Sequence, residues 1–186
     1  MPVSASIPST TDAELVAAAR TGDRHAFRML VERHWQAAAG VVYRMVGNEE
    51  DAQDAAQEAF LRAWQRLEDY KPEHPFRSWI CSIAVRVAID RLRKVKETDP
   101  LDRYTLESDG NSPEQELDTL EQAEQVRRAV LALPPASRAV LVLREYEGFS
   151  YREIADTLDI PPGTVMSRLN YARSKLRRML ADYMEA

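Results

Sequence analysis

The chain has 186 residues, 45% of them hydrophobic and 30% charged, with 25 basic against 30 acidic side chains and a net charge of −5. No apolar run approaches the roughly 20 residues that span a bilayer and no signal peptide opens the chain, so the expected location is the cytoplasm, without membrane insertion. Cys81 is the single cysteine, which excludes an internal disulfide and a multi-cysteine zinc site, and no metal or other cofactor is expected. With six glycines, no phosphate-cradling loop and no Ser/His/Asp order, the composition points away from an enzyme.

Residues 1–10 read as a polar tail. Thr11 and Glu14 form a capping-box pattern that opens a short helix through Arg20, and Gly22-Asp23 breaks it. A long helix follows, with Phe27, Leu30, Val31, Trp35, Ala38, Val42 and Val46 at helical spacing. Gly47-Asn48 ends it and caps the next, which is expected to run to about Tyr70 with Ala52, Ala56, Phe60, Ala63, Trp64 and Leu67 inward. The two prolines of Lys71-Pro-Glu-His-Pro75 predict a loop. From Phe76 to about Lys96 a fourth helix buries Ile80, Ile83, Ala84, Val87 and Leu92. Periodicity is then lost over 98–113, read as a flexible acidic linker and a domain boundary.

Helices resume near Pro113, pause at Leu133-Pro-Pro135 and run again to about Glu147. Residues 149–178 then read as two helices around a tight turn. Ser150 and Glu153 form a second capping box, Phe149 and Ile154 a hydrophobic staple, and Asp159 a residue able to take the left-handed turn. Pro161-Pro162 supply the fixed φ of a first helical turn. In the second helix Val165, Leu169, Ala172 and Leu176 fall on one stripe. The other face carries Met166, Ser167, Asn170, Tyr171 and Ser174, flanked by Arg168, Arg173 and Lys175. Short polar groups can reach base edges and long cations can reach phosphates, the layout of a helix-turn-helix recognition helix. A merely solvated basic face is the alternative. The expected fold is therefore all-α, with two small helical domains, 11–97 and 114–186, joined by the linker, and nothing reads as a strand.

Charge is unevenly distributed. Residues 161–178 hold five cations and no acid, while 71–96 hold seven cations against Glu73 and Asp90. Residues 97–124 hold ten acids against Arg103, and 48–70 hold seven against Arg62 and Arg66. Two basic patches in a negative total field bind duplex DNA poorly by themselves, which suggests that a partner holds the chain on DNA.

The strings Asp51-Ala-Gln-Asp-Ala-Ala-Gln-Glu-Ala-Phe-Leu-Arg-Ala-Trp64, Phe76-Arg-Ser-Trp79 and Ala88-Ile-Asp-Arg-Leu-Arg93 resemble the second conserved region of bacterial sigma factors. Leu133-Pro-Pro through Glu153-Ile-Ala155 and Gly163-Thr-Val-Met-Ser-Arg168 resemble the fourth. With only these two regions, the layout is similar to the extracytoplasmic-function (ECF) group. Met166, Asn170-Tyr171 and Asp159 depart from residues common in that family, which bears on the DNA sequence preferred. The resemblance implies a transcription initiation factor with three contact surfaces. Asp51, Asp54, Gln57, Glu58, Leu61, Arg62 and Gln65 would dock on core RNA polymerase, against the alternative of a plain solvated helix face. Tyr70, Phe76, Arg77, Trp79, Arg86, Arg91, Arg93 and Lys94 would read the minus-ten promoter element as a melted strand, by stacking and by tracking the backbone. Within that set Trp79 fits the core better than a platform, Phe76 could anchor the helix start, and Arg91 to Lys94 suit a phosphate clamp. Arg152, Thr164, Met166, Ser167, Arg168, Asn170, Tyr171, Arg173 and Lys175 would read the minus-thirty-five element as duplex. Core RNA polymerase, promoter DNA and an anti-sigma protein are the partners implied. The rival reading is an autonomous helix-turn-helix repressor or response regulator, which would dimerise and bind duplex DNA without polymerase.

Overall fold

The computed structural model describes residues 10–98 and 114–184. The described residues are helical apart from short turns and loops, in the order α1 Asp12–Arg20, α2 Arg24–Val46, α3 Glu49–Gln65, α4 Phe76–Thr98, α5 Glu114–Leu131, α6 Pro135–Glu145, α7 Tyr151–Leu158 and α8 Pro162–Met184. The polar tail and the acidic linker expected at 1–10 and 98–113 lie outside these residues except at Thr10 and Thr98.

Helix boundaries follow the capping chemistry. Both capping boxes form: Thr11 closes on Glu14 at the start of α1, and Ser150 on Glu153 at the start of α7. Asp23 caps α2, and the Asn48 side chain accepts from the Asp51 amide to cap α3. Between them Gly47 takes φ +94°, and a Cβ there would lie 2.6 Å from Leu131 Cδ1, so both the turn and the neighbouring helix require glycine. The third helix stops earlier than the pattern suggests. It ends at Gln65, and Leu67–Asp69 form a single 3-10 turn leading to Tyr70. The Arg20 guanidinium accounts for this, because it donates to the carbonyls of Leu67 (3.1 Å) and Tyr70 (2.6 Å) and holds those groups away from a continuing helix. Helix α6 likewise ends at Glu145, two residues before the expected position.

Helices α1 to α4 form one subdomain and α5 to α8 the other, the C-terminal one with helix-turn-helix packing. The halves are in contact. Helix α2 packs against α5 and α6, and α4 against α6 and α7, so that one apolar core runs from Leu30, Val42 and Ile80 to Leu143, Ile154 and Leu169. Sequence reading treated the halves as separate heads on a tether; packing between them is a property of the tertiary structure.

The polar hub of this packing is Arg138, 3% exposed. It donates to the carbonyls of Met45, Leu131 and Leu133, so one guanidinium serves the C-terminal turn of α2 and the exit from α5. Helix ends leave such carbonyls without intrahelical partners, and burial without a donor would be costly. Arg138→Leu should therefore lower unfolding free energy by about 3 kcal/mol, read from the urea midpoint, because it strands buried acceptors in an apolar setting.

Candidate nucleic-acid and polymerase interfaces

The recognition helix is presented as its sequence pattern requires. Asp159 takes the left-handed conformation (φ 54°, ψ 53°), the only described non-glycine residue with positive φ, and turns the chain sharply after α7. The Pro161 carbonyl then accepts from the amides of Thr164 (2.9 Å) and Val165 (3.2 Å) to start α8. Val165, Leu169 and Ala172 are fully buried, with Ile154 opposite and Leu176 packed at the margin. Met166 (51% exposed) and Tyr171 (46%) stand out among the exposed large hydrophobic side chains, with Ser167 and Asn170 exposed between them.

The expected cations are not equivalent. Arg152 is exposed and Arg168 half-buried, and neither makes an ion pair among the described residues. Thr164 is also half-buried. Arg173 pairs with Glu145 at 2.7 Å, which pushes its pKa above the ordinary arginine value, and Lys175 donates to the Ala132 carbonyl at 3.0 Å. Both must exchange these partners to hold a phosphate.

The residues expected to read a single strand divide in two. Tyr70 and Phe76 are 4% and 1% exposed. They pack with half-buried Trp79 as three mutually tilted rings whose centroids lie 5.3–5.6 Å apart. Tyr70 and Phe76, expected to offer ring faces for stacking, meet edge to face in this cluster, Tyr70 lines the cleft beside it, and the Tyr70 hydroxyl donates to the His74 carbonyl at 2.8 Å to shape the loop. Phe76 is buried at the first position of α4, and half-buried Trp79 packs against the core. Around this cluster opens a cleft of about 250 Å³ whose wall includes Lys71, His74, Trp79 and Arg86. Arg86, Arg93 and Lys94 are exposed on α4. Arg77 and Arg91 are committed elsewhere. Arg77 pairs with Glu147 at 2.6 Å. Arg91 reaches Glu58 at 3.4 Å, Asp51 at 3.8 Å and the Asp51 carbonyl at 3.2 Å, so it joins α4 to α3.

On α3 the outer face carries exposed Asp51, Asp54, Gln57 and Gln65 around Leu61, whose 62% exposure is unusual for a leucine. Glu58 and Arg62 pair at 2.6 Å, and Arg62 also reaches Asp90 of α4 at 3.3 Å. Leu61 is thus a single apolar side chain ringed by charged and amide groups. Among the described residues no group of acids, histidines or cysteine could hold a metal ion, and no helix is long and apolar enough to cross a membrane.

Residues 30–98 match the Sigma-70 region 2 family, and residues 123–176 match Sigma-70 region 4. The ECF RNA polymerase sigma factor SigW of Bacillus subtilis is 34% identical over 174 residues, covering 88% of this chain and 93% of that protein. The RNA polymerase sigma-H factor of Pseudomonas aeruginosa is 33% identical over 180 residues, covering 91% and 93%. The chain belongs to the ECF sigma factors. Sigma factors direct RNA polymerase to promoters and are not enzymes, and this is the activity of the chain. In a structure of CnrH with the cytosolic domain of CnrY, CnrH matches this sigma factor with a TM-score of 0.70 and 31% identity, over 92% of this chain and 97% of that one. RpoE of Bartonella quintana, solved with the anti-sigma factor NepR, shares the fold at a TM-score of 0.66 and 23% identity, over 83% and 96%.

Several residues that position the sites escaped sequence reading: Arg20, Arg127, Arg138 and Glu147. Each is a charged side chain in a helix or, for Glu147, in the bend just past one, with no local pattern to distinguish it from a solvated charge. Cys81 has a clear environment as well. It is fully buried and its thiol is pushed up to about 12, chiefly by burial and then by Glu147, so it stays protonated and unreactive in this fold.

The capping box of α7 yields a pH prediction. The Glu153 carboxylate accepts from the Ser150 amide at 2.7 Å, and this bond holds its pKa below the ordinary value of 4.5. A depressed folded pKa gives stability that is whole above the unfolded value and is lost as pH falls through the folded one. The thermal midpoint of the wild type should therefore fall more steeply below pH 4.5 than that of Glu153→Gln, with the two differing most at neutral pH.

Proposed function

We propose that this sigma factor reads the two promoter elements with its two halves: the minus-thirty-five element as duplex with α8, and the minus-ten element as a melted strand with the cleft beside α4. The proposed units are 11–97 and 114–186, joined by the acidic segment 98–113. The observation that carries the reading is the outer face of α8. It is acid-free from Pro162 to Arg178, with Met166, Ser167, Asn170 and Tyr171 exposed in the middle. In that arrangement Arg168 and Arg152 bind phosphates, Ser167 and Asn170 reach base edges, and Met166 gives apolar contact. Arg173 and Lys175 join after leaving Glu145 and Ala132.

On the other half, Arg86, Arg93 and Lys94 track the backbone of the separated strand. Bases enter the cleft, whose lining includes the rings of half-buried Trp79, Tyr70 and His74. Unstacking a base costs a few kcal/mol, so the cleft favours strands that are already opening. The α3 face centred on Leu61 docks on core polymerase. Each contact is weak by itself, and joining them in one chain makes the second intramolecular, which selects promoters with suitable element spacing. An anti-sigma protein is a further proposed partner, supported by the capture of the similar CnrH with the cytosolic domain of CnrY.

The reading is tested by comparing free chain with chain plus core polymerase in gel retardation and run-off transcription. Specific retardation and transcript should need core polymerase; tight operator binding by the chain alone would favour a repressor instead. Arg168→Ala should weaken upstream-element binding about tenfold and lower the salt slope by about one, as expected for a lost phosphate contact. Arg86→Ala should reduce open-complex formation about tenfold and leave closed-duplex binding nearly unchanged, and equal loss in both assays would remove its strand-reading role.

A further inference from the structure

Helix α1 stands before residue 30, where the Sigma-70 region 2 match begins, yet both of its ends are tied to the elements that border the cleft beside α4. At its start Asp12 is held by Arg33 at 3.1 Å and by His34 at 2.7 Å, and the His34 ring lies 5.2 Å from that of Phe76, the first residue of α4. Leu15, Val16 and Ala19 bury its inner face. At its end the Arg20 guanidinium donates to three carbonyls of the following loop: Leu67 at 3.1 Å, Glu68 at 3.3 Å and Tyr70 at 2.6 Å. Beyond them the Tyr70 hydroxyl donates to the His74 carbonyl and the His74 amide to the Lys71 carbonyl, so a chain of bonds runs through the loop from Arg20. Exposed Lys71 and His74 line the cleft, whereas Arg20 does not and acts through the loop.

Three carbonyl oxygens that converge on one point repel one another and stay together while a cation sits between them. A planar guanidinium suits that place, since its donors fan out in a fixed fork. The bonds lie at or near the surface, so water can replace Arg20 there at little cost in stability. Water does not supply the common direction that the three carbonyls share. We propose that Arg20 is a positioning residue for capture of the minus-ten strand: it holds the loop 67–75 in its binding shape, with Lys71 and His74 set beside the cleft, before DNA arrives. The proposal rests on the reading of that cleft as the minus-ten site. A loop ordered in advance loses little further freedom when a base enters, so the contact gains affinity from geometry made on another helix. The Glu68 carboxylate has no part in this. It is 79% exposed and stands 3.7 Å from the Arg20 Nε, so its hold on the guanidinium is slight.

The test compares the wild type with Arg20→Ala, Arg20→Lys and Glu68→Gln as full-length chains, free and with core polymerase. In the free chain, amide hydrogen exchange over 67–75 should quicken about tenfold in Arg20→Ala, with α2 and α4 unchanged, since the freed loop regains the motion of a residue or two. Strand binding is read with the holoenzyme and a fluorescein-labelled non-template strand of a promoter mapped by run-off transcription. A second strand carries abasic sites in place of the minus-ten bases and keeps every phosphate. Arg20→Ala should bind the intact strand about tenfold more weakly than the wild type and the abasic strand equally well. Loss of charge alone would weaken both strands alike, because their phosphates are the same. Arg20→Lys keeps the charge without the fork and should lose about threefold, again on the intact strand only; it carries the test if Arg20→Ala loses helical circular dichroism. Glu68→Gln should match the wild type throughout. Equal loss on both strands, unchanged exchange in the loop, or a Glu68→Gln defect as large as that of Arg20→Ala would each overturn the positioning role. If the wild type binds the two strands equally, the reading of the cleft falls and the proposal with it, while loop exchange still reports the clamp by Arg20.

Discussion

In an all-helical chain the scarce resource is hydrogen-bond partners for helix ends, and the structure depends on how Arg138 supplies them. Each helix leaves several carbonyls exposed at its C-terminus. Where those ends meet inside a core, water is not present to solvate them. A guanidinium offers donors in a planar fork, always charged and able to serve several acceptors at once. Arg138 uses them on Met45, Leu131 and Leu133, so the end of α2 and the α5–α6 turn share one group. The same device recurs at smaller scale: Arg20 gathers the carbonyls of the Leu67–Tyr70 turn, and Arg127 reaches Gly47.

These arginines connect local structure to function. Arg20 and the Tyr70 hydroxyl shape the loop that borders the cleft beside α4, where Tyr70 is buried and Lys71 is exposed. Arg91 and Arg62 link α4 to the acidic face of α3 through Asp51, Glu58 and Asp90. The surface proposed for polymerase and the surface proposed for the melted strand thus share one ladder of ion pairs. Each pair is half-exposed and contributes little to stability. Their effect is positional: they fix the outer edge of α4 against α3.

The negative total charge also gains a structural meaning. A chain whose two cationic faces were always free would collect on any nucleic acid at low salt. Here Arg77 of α4 pairs with Glu147, and Arg173 of α8 with Glu145. On the proposed reading, DNA binding by these two arginines is an exchange of partners. Such exchange suits a factor that acts when polymerase supplies further contacts.

Local chemistry made much of the fold legible in the sequence. Capping boxes at Thr11 and Ser150, the Gly47-Asn48 junction, the Asp159 turn and the stripe Val165, Leu169, Ala172 depend on neighbours within a few residues, so pattern alone sets them. The exposed face of α8 follows from that stripe by helical geometry. What pattern could not decide was the use of long side chains. Tyr70 and Phe76 are aromatic residues beside a basic helix and suit stacking equally well in sequence; only the convergence of three rings made them core. Arg77, Arg91 and Arg138 are alike as letters, yet one ties the halves, one joins two helices and one is buried among carbonyls. Local periodicity fixes which face of a helix is apolar, whereas the partner of a charge is chosen by helices distant in sequence, and that choice belongs to the tertiary structure.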